Sequence, residues 1–262
     1  MVYFMFLLTK LKIMKNNLFK KALTILSLVL VLACKGNDET TLRVGIDPKF
    51  PPFEYHEGDK IAGFSVDMAN ELGKRIGKKV VFKPMTFNNL LVSLQNESVD
   101  VIISSMTITE ERKKSVNFTQ GYFVDEVSLV VRDSDNSIKG LNDLKGKKVG
   151  STLGTTSGYI SDGIEGVAEN LKFKESPDTF LNLIAGKIDV AILDKVYAER
   201  AVSANKGAKI LDDPVVRQKS RGDWGIAVNK KNPQLLNDLN KALTAMKKEG
   251  FFDGLMDKYF KK

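Results

Sequence analysis

A handful of residues in this 262-residue chain could hold a small molecule that carries both charges. Arg112 closes the stretch Thr107-Ile108-Thr109-Glu110-Glu111-Arg112, and its planar guanidinium can fork two N–H donors onto one carboxylate. Thr107, Thr155 and Thr156 can add donors to the same carboxylate. Asp194, at the end of Ile188-Asp189-Val190-Ala191-Ile192-Leu193, can accept from an ammonium group. Phe50, Phe53 and Phe87 can wall an apolar or planar side chain. Each also has an ordinary structural use: Arg112 in a surface ion pair, Asp194 as the N-cap of a following helix, the phenylalanines in a core. Gly150 to Thr156 (GSTLGTT) is a glycine-rich turn after a strand. It places amides and hydroxyls at a helix start, which suits an anion. No lysine follows its second glycine, so it is not a P-loop.

Reaction chemistry is sparse. There is no H-E-x-x-H, G-x-S-x-G or C-x-x-C. Ser203-Ala204-Asn205-Lys206 and Ser134-Asp135-Asn136 fit S-x-x-K and S-D-N, but in reversed order and without K-T-G, and are read as surface coincidences. One histidine, His56, and one cysteine exclude a multi-histidine metal centre, a cysteine-rich zinc site and a disulfide framework. No cofactor or metal is expected.

Short strand-like runs alternate with helical ones. Strands are predicted at Leu42–Ile46, Val80–Phe82 and Val99–Ile103, and again at Lys148–Gly150, Leu171–Lys174 and Val190–Leu193. Helices are predicted at Val66–Ile76, Asn88–Leu94, Ser157–Ile164, Pro177–Ala185, Lys195–Ala204, Pro233–Lys248 and Phe251–Tyr259, and Thr109 reads as an N-cap. Alternating βα units imply an α/β fold with a mostly parallel sheet, here formed twice. Leu94-x4-Val99-Asp100-Val101-x-Ile103 is echoed by Leu183-x4-Ile188-Asp189-Val190-x-Ile192. If the echo is structural, equivalent strands end at Ser104-Ser105 and at Asp194. Ligands in open α/β sheets sit outside the carboxyl ends of strands, so two such edges would face a cleft.

The charge of +8 is misleading. Five of the 40 basic residues fall within the first 33 positions, where there is no acid, and 35 then face 32 acids over the rest. That is a mixed surface rather than a nucleic-acid footprint. Lys15 to Lys21 is basic, and Ala22 to Ala33 is uncharged. Twelve helical residues rise about 18 Å, short of a hydrocarbon core of roughly 30 Å. Residues 1–33 are therefore expected to be a signal peptide. Cys34 follows Ala33 directly, which resembles a bacterial lipoprotein box, although Val31 stands where leucine is usual. Cys34 is the expected lipidation site and residues 34–41 the tether. Met14-Lys15-Asn16-Asn17 opens a signal of normal size, so Met14 is the expected start.

Several stretches occur in a characteristic order. They are Arg43-Val44-Gly45-Ile46-Asp47, Pro51-Pro52-Phe53-Glu54-Tyr55, Gly63-Phe64-Ser65-Val66-Asp67, Ser104-Ser105-Met106-Thr107-Ile108-Thr109-Glu110-Glu111-Arg112, Gly154-Thr155-Thr156-Ser157-Gly158, Gly186-Lys187-Ile188-Asp189-Val190-Ala191-Ile192-Leu193-Asp194, Gly250-Phe251-Phe252 and Lys258-Tyr259-Phe260. Together they resemble the polar amino-acid family of extracytoplasmic solute-binding proteins that serve ABC importers, over nearly all of residues 42–260. The resemblance implies the two-lobed periplasmic-binding-protein fold with two crossover strands: lobe 1 from 42–124 and 225–262, lobe 2 from 125–224. It implies that Arg112 grips an α-carboxylate with help from Thr107 and Thr156, and that Asp194 holds the α-ammonium. Phe50 and Phe87 would be the aromatic walls, while Asp47, Ser104 and Ser105 would reach the ligand's side chain or amino group. The family usually has an acid where this chain has Ser65, which leaves a basic or a neutral polar amino acid open. The implied protein is a monomer. It is exported and lipid-anchored, faces the periplasm or cell exterior, and works with an ABC permease and no nucleic acid. An exported dehydratase acting on cyclohexadienyl acids and a sensory lipoprotein are the alternatives on this fold.

Overall fold

The computed structural model describes residues 40–261. The signal segment 1–33, Cys34, most of the tether and the start at Met14 lie outside the described residues.

Two five-stranded sheets organise the chain. In the first, Lys79–Pro84, Thr41–Ile46, Val101–Ile102, Ala227–Val228 and Asn117–Phe118 lie side by side in that order. In the second the order is Glu169–Phe173, Lys148–Thr152, Val190–Asp194, Val127–Arg132 and Ala208–Leu211. The first three strands of each sheet are parallel. The fourth strand runs antiparallel to both of its neighbours. The sheets are therefore mixed, not mostly parallel as the periodicity implied. The reason is topological. In each sheet the fourth strand follows a crossover: Ala227–Val228 comes after the second sheet is built, and Val127–Arg132 comes after most of the first. The crossovers themselves, Phe123–Asp125 and Gly222–Trp224, pair antiparallel.

The sequence echo is also an echo of structure. Val44 pairs with Val101 in the first sheet as Val149 pairs with Val190 in the second. Asp100 Oδ2 accepts from Arg43 N at 2.7 Å, and Asp189 Oδ2 accepts from Lys148 N at 2.8 Å. In return the Asp100 and Asp189 amides donate to the Arg43 and Lys148 carbonyls, both at 2.8 Å. One aspartate in each sheet thus clips the start of a neighbouring strand.

The helices follow the predicted faces. Phe64–Arg75 buries Val66, Ala69 and Leu72, the last two in a core shared with Leu235, Leu239 and Leu243 of Pro233–Lys248. It begins two residues before its expected start because Gly63 turns the chain at φ 127°, and a Cβ there would strike the Phe53 carbonyl. Thr109 caps the short helix Glu110–Lys113, its Oγ1 accepting from Arg112 N at 3.2 Å. The periodicity missed an antiparallel ribbon of Lys49–Phe50, Glu54–Glu57 and Lys60–Ala62. Strands of two to four residues are too short to establish a period of two. His56 lies on this ribbon, exposed. Among the described residues no helix is long and apolar enough to cross a membrane.

Candidate ligand-binding cleft

A cavity whose empty space, open solvent included, is about 460 Å³ lies at the carboxyl ends of the central strands of both sheets. Asp47, Phe50, Phe87, Ser104, Ser105, Thr107, Arg112, Thr156 and Asp194 all line it, so the nine residues expected to meet a ligand are brought together. The first sheet delivers Asp47 just after Thr41–Ile46, Ser104-Ser105 after Val101–Ile102, and Arg112 from the Thr109-capped turn. The second sheet delivers Asp194 as the last residue of its central strand. It also delivers Thr156 as the first residue of Thr156–Asp162, a helix that follows Lys148–Thr152.

Arg112 is 2% exposed. Its Nη1 donates to Thr107 O at 2.6 Å and its Nη2 to Gly154 O at 3.0 Å, so the guanidinium spans both sheets. Its Nε has no partner among the described residues, and the group lies 5.5 Å over the Phe87 ring. Burial lowers the Arg112 pKa, against the opposing pull of Tyr159 and Asp194. Asp194 occupies the N-cap position of Lys195–Ala204, yet its side chain makes no capping bond. Burial pushes it up to about 6, with Arg112 pulling the other way. The two threonines of the G-T-T turn divide their roles. Thr155 Oγ1 caps the helix, accepting from Gly158 N at 3.2 Å, whereas Thr156 Oγ1 is buried with no partner among the described residues.

Around the opposite wall, Asp47 Oδ2 accepts from Phe87 N at 2.9 Å, and Asp47 N donates to Ser104 Oγ at 2.9 Å. Burial raises Asp47 to about 6. Ser105 is held at φ 47°, a left-handed conformation rarely adopted outside glycine and asparagine. Phe50 stacks on Tyr197 with centroids 5.6 Å apart and meets Trp224 edge-on at 5.9 Å. Phe53, expected as a third wall, is fully buried against Phe64, Phe123 and Trp224 and belongs to the core. It is not among the residues that line the cavity.

The sequence reading missed Glu54. It lines the cavity at 1% exposure, with Ser104 Oγ 3.4 Å from its Oε1 and no partner on Oε2 among the described residues. Burial pushes it up to about 8, opposed by the serine hydroxyls of Ser65, Ser105 and Ser104 beside it. The signal was an acid placed between Phe53 and Tyr55. Ser65 is itself fully buried beside this carboxyl. Lys49 also lines the cavity and pairs with Glu175 at 3.6 Å.

The profile of the bacterial extracellular solute-binding proteins, family 3, matches residues 42–262. The chain belongs to this family. It is 33% identical to the L-cystine-binding protein TcyJ of Escherichia coli (strain K12) over 230 residues, 86% of this chain and 85% of that one. The solved structure of an ancestral arginine-binding protein bound to glutamine superposes with a TM-score of 0.79 at 40% identity, covering 86% of this chain and 99% of that one. The ancestral amino acid-binding protein AncCDT-1, described as a precursor of cyclohexadienyl dehydratase, superposes with a TM-score of 0.76 at 34% identity, covering 85% and 96%. This solute-binding protein has their two-lobed fold: each sheet is the frame of a lobe, and the paired crossover strands join the two.

Proposed function

We propose that this solute-binding protein captures a polar L-amino acid, basic or neutral, in the cleft and delivers it to an ABC permease. One observation carries the reading. Arg112 of the first lobe and Asp194 of the second open onto one cavity, and each keeps hydrogen-bonding capacity that the protein does not use. An amino acid's carboxylate and ammonium complement that pair. Thr107 and Thr156 assist at the carboxylate, and Phe50 and Phe87 flank the side chain. Asp47, Ser104 and Ser105 meet its far end. The carboxyls of Asp47 and Glu54 favour a side chain that brings donors, an amide or a cation. Lobe 1 is 42–124 with 225–262, and lobe 2 is 125–224. The mature chain is an exported monomer held at the membrane by lipid on Cys34.

A thermal-shift screen of the mature chain against the twenty amino acids and L-cystine tests this. Ligand at 100 times its Kd adds about 2.7 kcal/mol, and no shift with any of them would sink the reading. Mass spectrometry of the mature N-terminus tests the anchor: several acyl chains are expected on Cys34, and none on Cys34→Ala. Glu54 favours a second reading. An acid held up to about 8 in the cavity is protonated at neutral pH and is suited to general-acid work of a dehydratase type. Aromatic product formed from arogenate or prephenate, and lost in Glu54→Gln, would establish it.

A further inference from the structure

Five charged side chains line the cavity, three acids and two bases. An amino acid's own carboxylate and ammonium take Arg112 and Asp194. Lys49, the second base, turns to Glu175 at 3.6 Å. Asp47 and Glu54 are left, and among the described residues neither meets a cation in an ion pair. One serine links them: Ser104 Oγ accepts from Asp47 N at 2.9 Å and lies 3.4 Å from Glu54 Oε1. Asp47 Oδ2 is engaged by Phe87 N at 2.9 Å. Glu54 is 1% exposed, and its Oε2 has no partner among the described residues. Ser105 Oγ is likewise buried without one, on a residue that lines the same cavity. Glu54 sits directly across the ribbon from Phe50. Opposed residues of an antiparallel pair put their side chains on one face, so the aromatic wall and the buried acid meet the cavity together. Burial pushes Glu54 up to about 8, as expected of a carboxyl that no cation faces.

A buried acid is costly unless a counter-charge and donors reach it. A side-chain amide brings two donors, an acceptor and no charge. A guanidinium or ammonium brings donors only, together with the charge. We propose that Glu54 is the specificity-determining residue for side-chain charge: beside Ser105, and linked through Ser104 to Asp47, it forms a distal subsite that selects an amino acid with a cationic side chain over a neutral one of the same shape. This deepens the amino-acid reading and rests on it. Phe50 covers the stem of such a side chain, and Glu54 receives its end.

The test uses the mature chain, calorimetry and two matched probe pairs. L-arginine is set against L-citrulline, whose ureido group lacks the charge, and L-lysine against L-norleucine, which lacks the ε-amino group. Wild type should bind the charged member of at least one pair at least about thirtyfold tighter than its neutral partner. Glu54→Gln keeps the shape and the hydrogen-bonding capacity of the side chain. In it that charged member should weaken at least about tenfold, and the neutral partner should stay within about threefold of wild type. Wild type that holds both members of each pair alike overturns the proposal, and this comparison stands whether or not the variant folds. Equal weakening of both members in Glu54→Gln also overturns it, because that is what a carboxyl serving only the core would give. The two readings fail separately. Wild type that binds a neutral polar amino acid and neither arginine nor lysine defeats the charge subsite and leaves the amino-acid reading. Wild type that binds agmatine, which lacks the α-carboxylate, as tightly as L-arginine defeats the reading of Arg112 and leaves the charge subsite. Binding of no amino acid at all defeats both.

Discussion

Arg112 uses one donor of each terminal nitrogen on the Thr107 and Gly154 carbonyls, which fixes the plane of the guanidinium and leaves its Nε free. A group so oriented and so buried should dominate carboxylate binding. Arg112→Ala is expected to cost about 2–5 kcal/mol, roughly 30- to 4,000-fold in Kd by calorimetry. Arg112→Lys should also bind poorly, because a point charge cannot fork. Unchanged affinity in either variant rejects the assignment. For Asp194→Asn, the amino acid should weaken strongly and its des-amino analogue much less, with a coupling of about 1.5 kcal/mol or more. Glu54 bears on stability rather than on the clamp alone. Its folded pKa of about 8 lies above the ordinary 4.5, so between those values the folded chain holds more protons than the unfolded one. The stability it contributes is complete below about pH 4.5 and is lost as pH rises through 8. Asp47 and Asp125, both raised, act in the same direction. Urea midpoints should fall from pH 5 to 8 in wild type and fall less in Glu54→Gln. Parallel slopes would mean that Glu54 titrates normally.

The clipping aspartates show how the elements are held at their correct offsets. Asp100 receives the Arg43 amide and, on the same side chain, Arg43 Nε at 3.1 Å and Nη2 at 2.6 Å. Asp189 receives the Lys148 amide and faces Arg132 Nη2 at 3.4 Å. Asp100→Ala should cost about 1–2 kcal/mol by urea unfolding, and Asp189→Ala less, since its arginine contact is longer. The reverse order would contradict the geometry. Both aspartates were visible as an echo 89 residues apart, because each precedes a buried strand in the same βα unit. The ribbon carrying Phe50 and Glu54 was not visible, since nothing within strands of two to four residues shows which side chain turns inward.

The two mixed sheets are connected through two short antiparallel strands, Phe123–Asp125 and Gly222–Trp224, the kind of joint about which a hinge closure turns. Across the cleft Arg112 meets Gly154 O, Lys49 pairs with Glu175 and Phe50 stacks on Tyr197. A ligand that bridges Arg112 and Asp194 engages both lobes and must favour the closed arrangement, since differential affinity is what shifts such an equilibrium. Small-angle scattering should show wild type compacting with its amino acid and Asp194→Asn compacting less at equal ligand concentration. Equal compaction would remove Asp194 from the closing contact.

Residue types and their spacing were enough to determine the α/β class and the order of the βα units, while the nine residues that meet around one cavity came as a set from the resemblance to the solute-binding family. Helical and strand periods are local, and strand ends predict where loops converge. Three matters were decided only by the tertiary structure. Phe53 went to the core and Glu54 to the cavity, although they are neighbours in the chain. The fourth strand of each sheet ran antiparallel because it arrives from a crossover. Asp194 makes no capping bond to its helix, and the Lys195 amide goes instead to Glu126 O, nearly seventy residues earlier. Each outcome depends on which distant group reaches a buried position first in space, and burial, not sequence neighbourhood, sets what that group's charge and hydrogen bonds can do.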